Sequence, residues 1–91
     1  MAPWHFEITE PGKADLEGLD APTRRRVLER LRWFTENFNH ITPLPLGGEW
    51  RGFFKLRVGD WRVVYKPNYE TYRIVVHRID LRDKVYRRRT R

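Results

Sequence analysis

The chain has 91 residues, 19 Lys+Arg against 12 Asp+Glu, a formal net charge of +7 and no cysteine. That length fits one domain, residues 1–91, and the missing thiols exclude a disulfide framework, a thiolate metal site and a cysteine nucleophile. No apolar run approaches the roughly 20 residues of a membrane span, and the excess of positive charge points first to a polyanionic partner, nucleic acid above all, although a basic surface also serves solubility alone.

Trp4, Phe6 and Ile8 alternate with His5 and Glu7, the period of a half-buried strand. Thr9 then reads as a helix N-cap with Pro11 tolerated in the first turn; Leu16 and Leu19 give a short stripe, and Gly18 weakens the helix. Asp20-Ala21-Pro22 restarts helical signals. Val27, Leu31, Phe34 and Phe38 follow at spacings of four, three and four, one face of a longer amphipathic helix expected to pack on a sheet. Residues 39–48 are rich in Asn, Pro and Gly and read as a loop.

Three β-like runs follow, 50–58, 60–66 and 71–79, before residues 81–86 and a basic tail, 87–91. The order predicts an α+β fold, β-α-α-β-β-β: two N-terminal helices on one face of a mainly antiparallel four-stranded sheet, with the other face left for function. His5, His40 and His77 form no ligand-spaced cluster, so no metal site is expected. The N-terminus lacks the pattern of a secretory signal, and a cytoplasmic protein is expected.

Val58-Gly59-Asp60-Trp61 offers a two-residue hairpin in which Gly59 can take positive φ. Counting outward pairs Arg57 with Arg62, Leu56 with Val63, Lys55 with Val64 and Phe54 with Tyr65. Alternation then puts Phe54, Leu56, Val58, Trp61, Val63 and Tyr65 on the core face and Phe53, Lys55, Arg57, Arg62, Val64 and Lys66 on the other. Directly opposed arginines oppose folding on the ~0.2–1 kcal/mol scale of cross-strand pairs, which favours an anion-binding face over incidental surface charge.

The run from Lys55 to Tyr65, an aliphatic strand after it, and Arg82-Asp83-Lys84-Val85-Tyr86 together resemble the RelE/ParE toxin superfamily over nearly the whole chain. The resemblance implies a RelE-like fold and a toxin paired with an antitoxin in a hetero-oligomer. For RelE-like members it implies ribosome-dependent cleavage of messenger RNA in the A site, with no metal, cofactor or membrane. ParE-like members share the fold but inhibit DNA gyrase, and usually lack the basic set and C-terminal tyrosine. Position by position it points to Lys55, Arg62, Arg82 and Tyr86 as catalytic. Arg57, Lys66, Arg78, Arg87 and Arg88 are expected to bind phosphate on messenger or ribosomal RNA. Asp80 departs from the pattern where some members carry arginine, and His77, nine residues before Tyr86, is open to either a structural or a direct role. An inactive basic interaction module is a third reading.

Cutting RNA through its own 2′-oxygen requires a base, stabilisation of negative charge and an acid for the leaving 5′-oxygen. Arginines stay charged and serve as forked phosphate ligands. Clustered positive charge favours the deprotonated form of lysine and tyrosine, which makes Lys55 or Tyr86 the expected base, with Tyr86 alternatively orienting or stacking the substrate.

Overall fold

The computed structural model describes residues 3–86. Its elements run β1 (His5–Ile8), α1 (Glu10–Glu17), α2 (Ala21–Asn37), β2 (Leu44–Pro45), β3 (Phe54–Val58), β4 (Trp61–Asn68) and β5 (Arg73–Leu81), with short 3₁₀ turns at Phe38–His40 and Gly48–Trp50. The α+β class holds, with one strand more than expected. Leu44 and Pro45 pair with Lys55 and Phe54 at the sheet edge, where a proline's missing donor is tolerated. Strand order is β1-β5-β4-β3-β2; β1 runs parallel to β5 and the other pairs are antiparallel.

Both helices begin where their caps predict. Thr9 Oγ1 accepts the Gly12 N–H at 3.2 Å, and the Asp20 carboxylate accepts the Thr23 N–H at 3.4 Å; hydrogen bonding from the Thr23 side chain, then from its backbone, holds Asp20 below its ordinary value. The stripe Val27, Leu31, Phe34 and Phe38 is buried against Leu56, Val63, Tyr65, Ile74 and Val76. Sealing a side chain such as Leu31 from water contributes about 1.5–3 kcal/mol. α1 lies close on β5: a Cβ added at Gly12 would stand 2.9 Å from the Val76 carbonyl oxygen and 2.8 Å from Ile8 Cγ2.

The run expected over 50–58 is strand only from Phe54. Gly48 and Gly52 take φ of +60° and +94°, left-handed conformations that interrupt an extended chain. Trp50 is thereby turned into a small second core on the sheet face away from the helices. Trp50, Phe53, Val64 and Val85 are buried there, flanked by Leu46 and Tyr86, so the face expected to lie open is partly roofed by the segment after β5. No described helix is long and apolar enough to cross a membrane.

Candidate nucleic-acid interface

The β3–β4 hairpin has the register its sequence predicts: Val58 faces Trp61, Arg57 faces Arg62, and Lys55 faces Val64. Gly59 sits at φ +60°, as expected for the first central residue of a type II′ turn. Arg62 folds back on that turn, its Nη1 donating to the carbonyls of Gly59 and Trp61, each at 2.8 Å. Two carbonyl acceptors hold the guanidinium at the hairpin tip and leave further N–H groups for a ligand.

One irregularity in the next strand decides what meets Arg62. The β4–β5 ladder shifts register between Val64 and Tyr65, so that Tyr65 pairs with Val76, Val64 with Arg78, and His77 is the extra residue. Without this bulge Arg62 would face Ile79. With it, Ile79 is buried in the main core and Arg62 faces Asp80. Arg57, Arg62 and Asp80 thus form a row across three strands, and the Asp80 carboxylate offsets part of the repulsion between the arginines. The same shift sends Arg78 to the β5 edge, where its Nε meets Asp15 Oδ2 at 2.7 Å while the Ile79 N–H donates to the same oxygen at 2.9 Å. Arg78 is therefore engaged by α1 and is not gathered with the cations of the hairpin.

Residues 82–86 form a turn that docks on the hairpin. The Arg82 N–H donates to the Asp60 carbonyl at 2.9 Å, and Val85 plugs the second core. The Trp50 indole N–H donates to the Tyr86 carbonyl at 3.1 Å, and the two rings meet edge to face with centroids 6.4 Å apart. Tyr86 ends up half-buried, within electrostatic reach of Arg62 and Arg57. Burial pushes its phenol above the ordinary value, while Arg62 and then Arg57 pull the other way without prevailing. The expected lowering of Tyr86 by clustered cations is therefore reversed: removing the ring from water costs the phenolate more than the arginines return.

Arg57, Arg62 and Tyr86 are the expected residues brought together. Lys55 lies on the same face two residues before Arg57, about 7 Å along the strand, and reaches a groove bordered by α2. Arg82 is exposed on the docked turn. Lys66 stands at the far end, its ammonium 5.4 Å from the centre of the Phe53 ring. His77 meets that ring edge to face at 5.0 Å. Arg87 and Arg88 lie outside the described residues. No group of three or more His, Asp or Glu among the described residues could hold a metal ion.

A family model, the ParE toxin of the type II toxin-antitoxin system parDE, matches residues 6–86. The chain belongs to this toxin family. No curated protein sequence matches it. The toxin resembles the RelBE2 toxin-antitoxin complex of Mycobacterium tuberculosis at 26% identity and a TM-score of 0.78, over 89% of this chain and 100% of that one. It shares its fold with the archaeal RelE-RelB complex of Pyrococcus horikoshii, at 20% identity, a TM-score of 0.69, and coverage of 92% and 100%. The isolated E. coli RelE toxin likewise matches at 15% identity and a TM-score of 0.71, over 86% and 83%.

Trp50 at the candidate interface escaped the sequence analysis, and so did the position of Asp80 opposite Arg62. Trp50 seats Tyr86, and its signal was the pair Phe53 and Val64, apolar residues on the otherwise charged hairpin face that needed a cover. Asp80 faces Arg62, and its signal was the break in period two between Val76 and Ile79.

Proposed function

We propose that this toxin is a ribosome-dependent endoribonuclease, acting as a single RelE-like domain in the cytoplasm, that cuts messenger RNA in the A site without metal or cofactor. The observation that carries the reading is the cross-strand pair Arg57–Arg62 within electrostatic reach of half-buried Tyr86. Paired guanidinium forks suit the oxygens of a phosphate gaining negative charge.

In this reading Lys55, in its unprotonated form, takes the proton of the ribose 2′-hydroxyl. The 2′-oxygen bonds to the adjacent phosphorus, and the bond from phosphorus to the 5′-oxygen breaks. Arg57, Arg62 and Arg82 stabilise the phosphate through the transition state. Tyr86, kept protonated by burial, donates its proton to the leaving 5′-oxygen, and the products are a 2′,3′-cyclic phosphate and a 5′-hydroxyl. Lys66, Arg87 and Arg88 extend contact to the RNA backbone, where they add affinity without sequence information. Arg78, paired with Asp15, braces β5 instead. A cognate antitoxin completes a hetero-oligomer, its acidic residues complementing the cationic face.

A second reading is inhibition of DNA gyrase without nuclease chemistry, favoured by the match to the ParE model. Inducing the toxin, mapping messenger RNA ends and assaying gyrase supercoiling in parallel separates the two. Cuts within codons on translated messages support the nuclease; intact messages with arrested gyrase support the second reading.

A further inference from the structure

Past the second core, at the far end of β4 and β5, a groove of about 400 Å³ is lined by Lys66, Asn68, Tyr69, Val75 and His77, and by no acidic residue. An unbroken line of contacts joins it to Tyr86. The Lys66 ammonium lies 5.4 Å from the centre of the Phe53 ring, Phe53 packs edge to face on Trp50 at 5.3 Å, and Trp50 holds the Tyr86 carbonyl. Lys66 stands four residues beyond Arg62 on β4, about 13 Å along the strand.

Tyr69 closes the groove. At 61% exposure it is more open to water than any other large apolar side chain described, yet its backbone and ring are firmly held. Asn68 Oδ1 accepts the Glu70 N–H at 2.9 Å and the Thr71 N–H at 3.2 Å. Tyr72 completes the turn at φ +57°, and its carbonyl accepts the His5 N–H at 3.0 Å. Trp4 meets the Tyr69 ring at 5.4 Å and 88°, and Trp4 is itself buried, with its indole N–H on Asn39 Oδ1 at 3.2 Å. A ring fixed on one side and open to water on the other is a stacking platform. With a lysine beside it, it offers what single-stranded nucleic acid takes up: a π-face for a base and a cation for a phosphate. The groove also falls within the roughly 300–1,000 Å³ of ligand sites.

We infer that Tyr69 and Lys66 form a nucleotide subsite for single-stranded RNA, away from the phosphate being cut, in which Tyr69 stacks one base and Lys66 holds an adjoining phosphate. RNA fits better than a protein segment because the groove continues the face of Arg57 and Arg62 and its lining carries lysine without a carboxylate. Stacking tolerates any base, so the pair positions the strand along β4 without reading its sequence. The subsite rests on the reading that this face takes RNA; it does not need the cleavage step.

The test uses the full chain and a fluorescent nine-nucleotide RNA with 2′-O-methyl groups, which lacks the attacking 2′-hydroxyl. Anisotropy is expected to show Tyr69→Ala binding about tenfold more weakly and Tyr69→Phe within about twofold of wild type, since phenylalanine keeps the π-face. Tyr69→Leu keeps apolar bulk against Trp4 and is expected to lose as much as alanine, so it decides the matter if Tyr69→Ala lowers the melting temperature. Lys66→Ala is expected to reduce the slope of log affinity against log salt by about 0.7, and Tyr69→Ala to leave that slope unchanged. Abasic sites placed at each position in turn are expected to reveal one at which wild type loses about tenfold and Tyr69→Ala loses nothing further. Wild-type affinity in both Tyr69→Ala and Tyr69→Leu overturns the subsite and leaves the ring to a protein partner. Equal losses in wild type and Tyr69→Ala at every abasic position overturn it too. A wild-type chain that binds no RNA removes the subsite together with the reading beneath it. Tyr69-dependent binding by a toxin that cuts no message leaves the subsite standing and removes the nuclease.

Discussion

The indole N–H of Trp50 donates to the main-chain carbonyl of Tyr86 across 36 positions of sequence, and through it a buried core residue fixes the last described side chain. The turn that carries Tyr86 is also held by the Arg82 N–H on the Asp60 carbonyl, by the Lys84 and Val85 N–H groups on the Leu81 carbonyl, and by Val85 in the second core. Trp50→Phe retains most of the packing and removes the bond. Cleavage on programmed ribosomes is expected to fall roughly tenfold to a hundredfold, as small misplacements of reacting groups do, with Tyr86 ring resonances shifted. An unchanged rate alongside shifted resonances would show that Tyr86 position does not matter to the reaction.

Gly12 is a packing glycine. Its added Cβ would meet a backbone oxygen and the Ile8 side chain, both inside 3.0 Å, and the backbone oxygen cannot rotate away. Gly12→Ala is expected to destabilise the fold by about 1–3 kcal/mol, the range for overpacking, read as a lower melting temperature. Helix propensity alone predicts the opposite sign.

Asp80 faces Arg62 and dilutes the positive face. Asp80→Asn removes that carboxylate while keeping the residue's shape. RNA binding is expected to tighten and the melting temperature to drop slightly, by the ~0.2–1 kcal/mol of a lost cross-strand pair. Both are measured on one protein preparation, by RNA titration and thermal unfolding.

Alkaline pH tests buried Tyr65 and half-buried Tyr86. Burial raises both Tyr65 and Tyr86 above the ordinary 10.0, so the folded chain holds these protons more tightly than the unfolded one. Their stabilising contribution is fully present below about pH 10 and is lost as pH rises through the folded-state values. Tyr65→Phe is expected to reduce that alkaline loss. At neutral pH it should be neutral, or stabilising by up to ~1 kcal/mol, since it deletes an unpartnered hydroxyl. Denaturant titrations at pH 7 and pH 10.5 read both effects.

The hairpin was legible because Gly59-Asp60 fixes a turn, and a turn fixes the register of every residue beyond it. The caps at Thr9 and Asp20 were equally local. What could not be read locally depended on contacts between distant segments. The His77 bulge keeps Ile74, Val76 and Ile79 in one core and sets Asp80 opposite Arg62 in the ladder. The raised phenol of Tyr86 depends on Trp50 and Val85 closing a second core, so a count of nearby charges alone points the wrong way. Pro45 hid a two-residue edge strand inside a segment that otherwise has loop composition.

The central claim is that Arg62 and Tyr86 act on RNA rather than merely closing the sheet. The direct measurement is cleavage of an A-site codon on programmed ribosomes by wild type, Arg62→Ala and Tyr86→Phe, with melting temperatures recorded beside the rates. The account predicts a loss of about a hundredfold or more in each variant at nearly unchanged stability. Wild-type rates in both variants would contradict it.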